Sequence, residues 1–308
     1  MTKTTHRRIT ACLAALAALT GAPGAWAGPT LTIVGSNTLA PFLAQWAAAA
    51  KAKDPALSVD IESPGTSVAP QALADDEANL GAMNRSMTSH ELEAFIRRHG
   101  YYPTAIEVAI EAVGVYVNPA NPLREITFGQ LGSAFSRHGG CALAGPVTTW
   151  GNLGLKGPWA AVPLGLEGQD IKSAVRDFFK HRVMCGDAFK PGMTQLSEPQ
   201  ELAQVARNPY AIGFARYRGQ TTLKALAVRA DPGDPYTPLT LANVYNRSYR
   251  LQHFLYLYVN KPVGAPVSGA IAAFLAAGLS PAGQAAVAKA GYIPLSPALV
   301  TRELAKLR

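Results

Sequence analysis

The first third of the chain alternates short apolar runs with longer segments of helical periodicity. Apolar or alternating runs at 31–34, 58–61, 80–83 and 104–112 predict strands. Between them, the segments 40–53, 68–78 and 89–98 have the composition and periodicity of helices. Strands and helices in alternation are typical of a mostly parallel sheet that is covered by helices on both faces. The pattern therefore predicts an α/β fold.

The pattern continues after a fresh strand predicted at 113–119. The later predicted helices are 127–135, 171–181, 199–207, 267–277 and 281–290, and the later strands are 211–214, 223–228 and 255–259. We interpret the order as two α/β lobes, because the chain leaves the first near residue 115 and returns near residue 250. Lobe 1 is then 28–114 with 250–308, and lobe 2 is 115–249.

The first 27 residues have the organisation of a secretory signal. Three basic residues precede a short apolar stretch, and A-W-A at 25–27 fits a cleavage site with small residues. The stretch is too short for a membrane-spanning helix. We therefore predict a mature chain that begins at Gly28 and is exported by the Sec pathway to the periplasm.

Removal of this segment leaves two cysteines, Cys141 and Cys185, and lowers the formal net charge from +8 to +5 because it carries three basic and no acidic residues. In an oxidising compartment an even pair of cysteines most simply forms one disulfide. The mild positive charge suits an acidic small ligand without requiring one. Because the basic residues are dispersed and do not alternate with aromatic residues, nucleic acid is not a predicted partner.

No catalytic arrangement stands out in the sequence. The histidines lack the spacing of metal ligands, and neither a G-x-S-x-G turn nor a phosphate-binding Walker loop is present. Ser36 has no base placed near it by this interpretation. We therefore predict a protein that is not an enzyme and that needs no cofactor or metal; a phosphohydrolase is a weaker alternative.

The loop directly after the first strand is the most informative segment. It contains Ser36, Asn37 and Thr38 and opens the helix 40–53. A helix start presents unpaired N–H groups and the positive end of the helix dipole, so it suits an anion. Ser, Asn and Thr also cap helices that bind nothing, and for this loop alone capping is the more common explanation.

Several segments, including this loop, occur in the same order as the sequence motifs of a known family. They are GSNTLAP at 35–41, PGTS at 64–67, AMNRSM at 82–87, VGVYVNPANP at 113–122, FGQL at 128–131, TWGNL at 149–153, NPYAIGF at 208–214, LSPAGQ at 279–284 and GYIPL at 291–295. Together they resemble the periplasmic phosphate-binding proteins of ABC importers, the PstS-like branch of the type II periplasmic binding fold. The resemblance implies two lobes that close about a hinge on a ligand touching both lobes. It also implies an ABC permease in the inner membrane as partner and, by default for the fold, a monomer.

The resemblance implies a set of first-lobe ligands at the carboxyl ends of strands. They are Ser36, Asn37, Thr38, Thr66, Ser67, Asn84, Arg85 and Ser86. Alternatives remain open for three of them. Arg85 has a surface salt bridge with Glu91 or Glu62 as its alternative, and Thr66 and Ser67 have simple capping of the helix that follows.

The second lobe departs from the family pattern. Where the family carries Gly-Arg-Asp-x-Gly-Ser-Gly-Thr before a helix, this chain has GLEGQDIKS at 165–173, and we align Leu166 with the arginine. Gln169, Asp170 and Ser173 are the replacement ligands that the alignment suggests. The alternative for Asp170 is an ordinary helix N-cap. If Asp170 and Glu167 face the cleft, they would repel an anion.

Two hypotheses follow. In the first, the protein captures phosphate or a related oxyanion between its lobes for an ABC importer. In the second, a diverged exported protein has kept the scaffold and lost phosphate binding, and it binds another solute, acts as an adhesin or binds an envelope partner. The loop at 165–173 separates the two, because the loss of a charge-assisted donor costs on the order of 1.5–3 kcal/mol per bond.

Overall fold

The structure, a computed structural model, describes residues 30–140, 145–267 and 269–308. The predicted signal segment and Cys141 lie outside the described residues. Cys185 is disulfide-bonded, while its pairing with Cys141 stays a prediction. Of the described helices, none is long and apolar enough by itself to cross a membrane. The helices at Gly269–Leu279 and Pro281–Lys289 meet that measure only together, and they bend by 65° at their junction.

Ten strands and ten helices are formed by the described residues. The strands are β1 (Thr30–Gly35), β2 (Ser58–Glu62), β3 (Leu80–Met83), β4 (Thr104–Val117), β5 (Glu125–Thr127), β6 (Gly165–Leu166), β7 (Ala211–Arg216), β8 (Lys224–Ala225), β9 (Ala227–Arg229) and β10 (Gln252–Val259). The helices are α1 (Ala40–Lys53), α2 (Ala69–Ala74), α3 (Ser89–His99), α4 (Phe128–Phe135), α5 (Ala174–Met184), α6 (Glu198–Arg207), α7 (Leu241–Tyr245), α8 (Gly269–Leu279), α9 (Pro281–Lys289) and α10 (Pro297–Ala305).

The strands form one curled sheet and one small accessory pair. The large sheet has the order β2-β1-β3-β10-β4-β7-β6, with β8 also paired to β4, and β5 pairs with β9. Parallel pairs join β1 to β2 and β3, whereas β10 runs antiparallel to both β3 and β4. The predicted α/β class is confirmed. The sheet is more mixed than the alternation of elements predicted, because β4 and β10 run against their neighbours.

Strand β4 links the two parts of the large sheet. Its residues up to Ala112 pair with β10, and from Val113 onwards they pair with β7. The prediction of two strands, 104–112 and 113–119, is therefore wrong in count: one continuous strand changes partners at that boundary. We call the part with β2, β1, β3, β10 and 104–112 the first half-sheet, and the part with 113–117, β7, β6 and β8 the second half-sheet.

Each half-sheet is covered by helices through aromatic contacts. On the first, Trp46 of α1 is buried, and its indole N–H donates to the carbonyl of Gly283 at 2.9 Å. A Cβ at Gly278 of α8 would lie 2.2 Å from the Trp46 ring, so only glycine fits beneath it. On the second, the rings of Phe179 and Phe214 stack with centroids 4.0 Å apart. Burying one such side chain contributes about 1.5–3 kcal/mol.

Helix α5 begins three residues later than the sequence pattern predicted. Ser173 is its N-cap and accepts a hydrogen bond from the N–H of Arg176 at 3.2 Å. Asp170 instead accepts from the N–H of Lys172 at 2.8 Å, which forms a local turn before the helix. The alternative that made Asp170 the N-cap is therefore wrong, and the helix start lies at Ala174.

Candidate ligand-binding cleft

Three loops of the first half-sheet meet at the carboxyl ends of β1, β2 and β3. Gly35 holds them together: its carbonyl accepts from the N–H of Gly65 at 2.9 Å, and the next residue, Ser36, donates from its N–H to Ala82 at 2.8 Å. Gly35 has φ +142°, and a Cβ there would lie 2.1 Å from the Ala82 oxygen. A glycine is thus required where the loops approach each other.

The predicted ligands of the first loop differ in exposure. Ser36 is 2% exposed and Thr38 is 6% exposed, while Asn37 is exposed. The Ser36 hydroxyl accepts from the Thr38 N–H at 3.2 Å. Helix α1 starts after Leu39 without any side-chain cap. Capping of α1, the alternative for this loop, is therefore not what these side chains do.

Thr66 ties the second loop to the third instead of capping a helix. Its hydroxyl accepts from the N–H of Asn84 at 3.3 Å and donates to the Asn84 side-chain oxygen at 2.7 Å. The helical turn at 66–68 and α2 both begin without a side-chain cap, which excludes the capping alternative. Within the described residues, the N–H groups of Thr66 and Ser67 and the Asn84 amide NH₂ have no hydrogen-bond acceptor. These groups are donors available to a ligand.

Arg85 forms a bidentate ion pair with Glu91 at the start of α3. Both terminal nitrogens lie 2.8 Å from the two Glu91 oxygens, and one also donates to the Ser86 carbonyl at 3.0 Å. The hydrogen bond from Arg85 lowers the pKa of Glu91, and the same bond raises the pKa of Arg85. The salt bridge considered as an alternative is therefore formed with Glu91. Ser86 lies beside Tyr256 and Tyr258; burial raises the pKa of each tyrosine, and a hydrogen bond from Ser86 opposes that rise.

The predicted ligands of the second part are largely used inside the fold. Gln169 is 3% exposed, donates to the Phe214 carbonyl at 3.3 Å and accepts from the Ser173 hydroxyl. The Ser173 hydroxyl therefore has its proton committed to Gln169. By contrast, the first two N–H groups of α5, those of Ala174 and Val175, have no acceptor among the described residues.

Glu167 and Asp170 are the two carboxylates of the 165–173 loop that would repel an anion if they faced the cleft. Glu167 is 8% exposed and accepts from the Thr194 hydroxyl at 2.6 Å. Asp170 is occupied in the turn before α5. Neither carboxylate lines the cavity that Asn84 and Arg85 border, whereas that of Asp177 in α5 does.

A cavity of about 390 Å³ brings the two parts of the molecule together. Its lining contains Asn84 and Arg85 from the third loop and one face of α5 that starts at Ala174. The start of α5 and the third loop therefore border the same cavity, which the Asp177 carboxylate also borders. Convergence of donors from both half-sheets is the arrangement that suits a small anion.

Besides Ala174, five residues of this cavity were missed at the sequence level. They are Asp177, Phe178, His181, Arg182 and His253. The four on α5 share one face with Ala174, at intervals of three and four residues, so the periodicity of this helix carried the signal. His253 is contributed by β10, and nothing in its local sequence marks it.

His253 also touches the point where β4 changes partners. Its ring lies 4.2 Å from that of Phe178, and its Nε2 is 3.2 Å from a carboxylate oxygen of Glu111, which in turn pairs with Arg216 of β7. Burial alone would raise the pKa of Glu111. The contact with His253 and the charge of Arg216 outweigh burial and lower this pKa to about 2. Among the described residues no cluster of His, Cys, Asp and Glu is arranged to hold a metal ion.

Comparison with known proteins gives a consistent assignment. Residues 20–280 match the model of the PBP superfamily domain. The phosphate-binding protein PstS of Pseudomonas aeruginosa is 37% identical over 278 residues, which are 90% of this chain and 86% of that protein. Protein SphX of Synechococcus elongatus is 24% identical over 90% of this chain and 81% of its own length.

A solved structure supports the same fold. A possible phosphate-binding protein from Planctomyces limnophilus superposes with a TM-score of 0.73 at 22% identity, over 91% of this chain and 99% of that one. At this identity the superposition shows the fold alone. The fold and the sequence relationship agree, and the chain belongs to the PstS family of phosphate-binding proteins within the PBP superfamily.

Proposed function

We propose that this protein captures phosphate, or a related small oxyanion, in the cleft between its half-sheets and delivers it to an ABC permease. The observation that carries the proposal is the cavity in which Asn84 and Arg85 face the N-terminus of α5. The name of the 37% identical relative, a phosphate-binding protein, supports the same ligand. No relative named above supports the alternative of a scaffold that has lost its anion.

The second-lobe loop fits the family pattern better when it is read from the helix start. Ser173 caps α5, so it takes the position of the serine in Gly-Arg-Asp-x-Gly-Ser-Gly-Thr. Counting back four residues then assigns Gln169, not Leu166, to the position of the arginine. Because Gln169 accepts from the Ser173 hydroxyl, we propose that it positions the helix start instead of touching the ligand.

The proposed ligand set therefore relies mainly on neutral donors. On the first side they are the Thr66 and Ser67 N–H groups and the Asn84 NH₂, with Arg85 as the cation of the same loop. On the second side they are the N–H groups at the start of α5, aided by the helix dipole. A backbone donor keeps its position when side chains vary, which explains how the site tolerates the loss of the family arginine.

We propose further that lobe 1 comprises 28–114 with 250–308 and lobe 2 comprises 115–249. The change of partner along β4 between Ala112 and Val113 supports this division. The 37% identical relative is named as a binding protein, which supports a role without catalysis. Export to the periplasm and monomeric association with the permease belong to the same proposal.

Calorimetric titration of the mature chain, from residue 28 and freed of carried-over ligand by unfolding and refolding, tests the proposal. We expect micromolar or tighter binding of phosphate at a stoichiometry of one, with sulfate and molybdate as comparison anions. Absence of binding for all three oxyanions would overturn the proposal and favour an organic solute as the ligand. Tight binding of sulfate or molybdate without phosphate would keep the anion site and replace the ligand.

A further inference from the structure

A second cavity, of about 540 Å³, lies outside the cleft. It is bordered by the start of α4 (Thr127, Phe128 and Gly129), by the last turn of α5 with Arg182, and by the segment 229–232. We call it the α4 cavity. Its volume falls in the range of sites for small organic molecules and exceeds what an inorganic anion fills.

Two guanidinium groups border the α4 cavity without a carboxylate partner. Arg229 lies over the ring of Tyr236 at 4.5 Å, and Arg182 donates from its Nε to the Arg250 carbonyl at 3.1 Å. Neither forms an ion pair with any described residue, and the residues outside the described ranges include no Asp or Glu. Asp231 borders the cavity but is not within ion-pair distance of either arginine. Arg182 also lies over the ring of Phe128 at 5.6 Å, so the printed contacts of both guanidinium groups are with neutral groups.

The start of α4 adds neutral donors to these charges. Thr127 and Gln130 satisfy each other in a capping box, which leaves the N–H groups of Phe128 and Gly129 without acceptors among the described residues. Thr127 is also the partner of Arg229 in the β5–β9 pair, so this arginine sits beside the helix start. Two guanidinium groups and a helix N-terminus on one cavity match the oxygen atoms of a phosphate group.

We propose that the α4 cavity is a second binding site, specific for an organic phosphate monoester with an aromatic or apolar group. The phosphate contacts Arg182, Arg229 and the start of α4, and the organic part lies against Pro232 and the edge of Phe128, whose ring face is covered by Arg182 at 5.6 Å. Arg182 borders both this cavity and the cleft cavity. A ligand in either cavity that contacts Arg182 therefore contacts a residue that also lines the other cavity.

The test uses 1-naphthyl phosphate as probe and the full mature chain, with inorganic phosphate in excess to fill the cleft. We expect one equivalent of the probe to bind under these conditions, and Arg229→Gln to weaken its binding at least tenfold, which is about 1.4 kcal/mol. Arg229→Lys keeps the charge but loses the bidentate geometry, so it is expected to bind with intermediate affinity. Arg207→Gln, a change at an exposed arginine at the end of α6, is the matched control and is expected to leave the affinity unchanged.

Three results would overturn the proposal. They are absence of probe binding by the unaltered chain at about millimolar concentration, equal affinity of the Arg229→Gln variant, and complete displacement of the probe by the same concentration of inorganic phosphate in the unaltered chain and in Arg229→Gln. The last result would place the probe in the cleft. An unchanged midpoint of thermal unfolding for Arg229→Gln shows that a lost affinity comes from the α4 cavity and not from misfolding.

Discussion

Arg85 has two competing uses, because the ion pair with Glu91 occupies both of its terminal nitrogens at 2.8 Å. A bound anion has to share this guanidinium or draw it away from Glu91. We expect Arg85→Ala to weaken phosphate binding at least tenfold, a loss of about 1.4 kcal/mol, since a charge-assisted donor is removed. Calorimetric titration of the variant beside Arg97→Ala, an exposed arginine on the same helix as Glu91, measures this.

A substitution of Glu91, the partner of Arg85, tests whether Arg85 binds the ligand or only forms a surface salt bridge. Glu91→Gln removes the competing charge, and glutamine can still complete the capping box with Thr88. We expect phosphate affinity to rise several-fold in this variant. Unchanged affinity in both Glu91→Gln and Arg85→Ala would assign the pair to the protein surface alone.

Glu201 of α6 is expected to limit stability at alkaline pH. It is fully buried and accepts from the Phe214 N–H at 2.7 Å; burial raises its pKa from 4.5 to about 8, against the opposing effect of that hydrogen bond. Between these two values the unfolded chain releases the proton and the folded chain retains it. The contribution of protonated Glu201 to the free energy of unfolding is therefore fully present below pH 4.5. It falls by up to about 1.4 kcal/mol per pH unit as the pH rises to about 8.

Urea unfolding at several pH values tests this expectation. Glu201→Gln removes the titration and keeps an oxygen for the Phe214 N–H. We expect the difference in unfolding free energy, variant minus unaltered chain, to increase between pH 5 and pH 8 and then to level off. A difference that does not change with pH would show that Glu201 is ionised in the folded protein.

Helix α5 offers its first N–H groups to the cleft, and proline can test them without breaking the helix. Ala174 is the first helical residue, where proline is favoured, and Ser173 before it has φ −71° and ψ 123°, which a following proline accepts. Ala174→Pro removes one N–H, so we expect phosphate binding to weaken by about fivefold to thirtyfold, as for a loss of about 1 to 2 kcal/mol. Ala174→Gly, which keeps the N–H, is the control for calorimetry, and equal affinities in both variants would remove this N–H from the site.

The same helix shows where sequence patterns succeed and where they stop. The bounds of α1 and β3 were predicted to the residue, because proline, glycine and polar residues mark their ends. For α5 the apolar pattern began at Ile171, and only the hydrogen bond of Ser173 to the Arg176 N–H distinguishes a cap from a first turn. For β4 the sequence pattern predicted two strands that meet at 112–113. The structure has one strand that changes its partner there, and the residue pattern of a single strand does not show with which neighbours it pairs.

The candidate site was predictable only for its loops. Polar residues after strands identify Thr66, Asn84 and Arg85, because local chemistry selects them. His253 enters the cavity only because β10 pairs with β4, a contact across more than a hundred residues of chain. Whether Gln169 faces a ligand or the interior also depends on Phe214, which is distant in sequence. Contacts of this kind follow from the three-dimensional packing and not from local periodicity.

The two half-sheets share β4, and the cavity between them is lined by the third loop and His253 on one side and by α5 on the other. At their junction Glu111 of β4 contacts Arg216 of the second half-sheet and His253 of the first. A ligand that touches Asn84 on one side and the start of α5 on the other adds a further connection. The halves are therefore expected to respond to phosphate as one cooperative unit.

Phosphate is accordingly expected to stabilise the entire chain against unfolding. At a concentration one hundred times its Kd, a ligand that binds only the folded state adds about 2.7 kcal/mol to the free energy of unfolding. We expect one urea transition, moved by this amount, when the tryptophan signals of both half-sheets are followed through Trp46 and Trp150. At the same phosphate concentration, Arg85→Ala with a tenfold weaker Kd is expected to gain only about 1.4 kcal/mol. Two separate transitions, of which phosphate moves one, would show that the ligand contacts a single half-sheet, and the cleft would then lose its role as the site that joins the two.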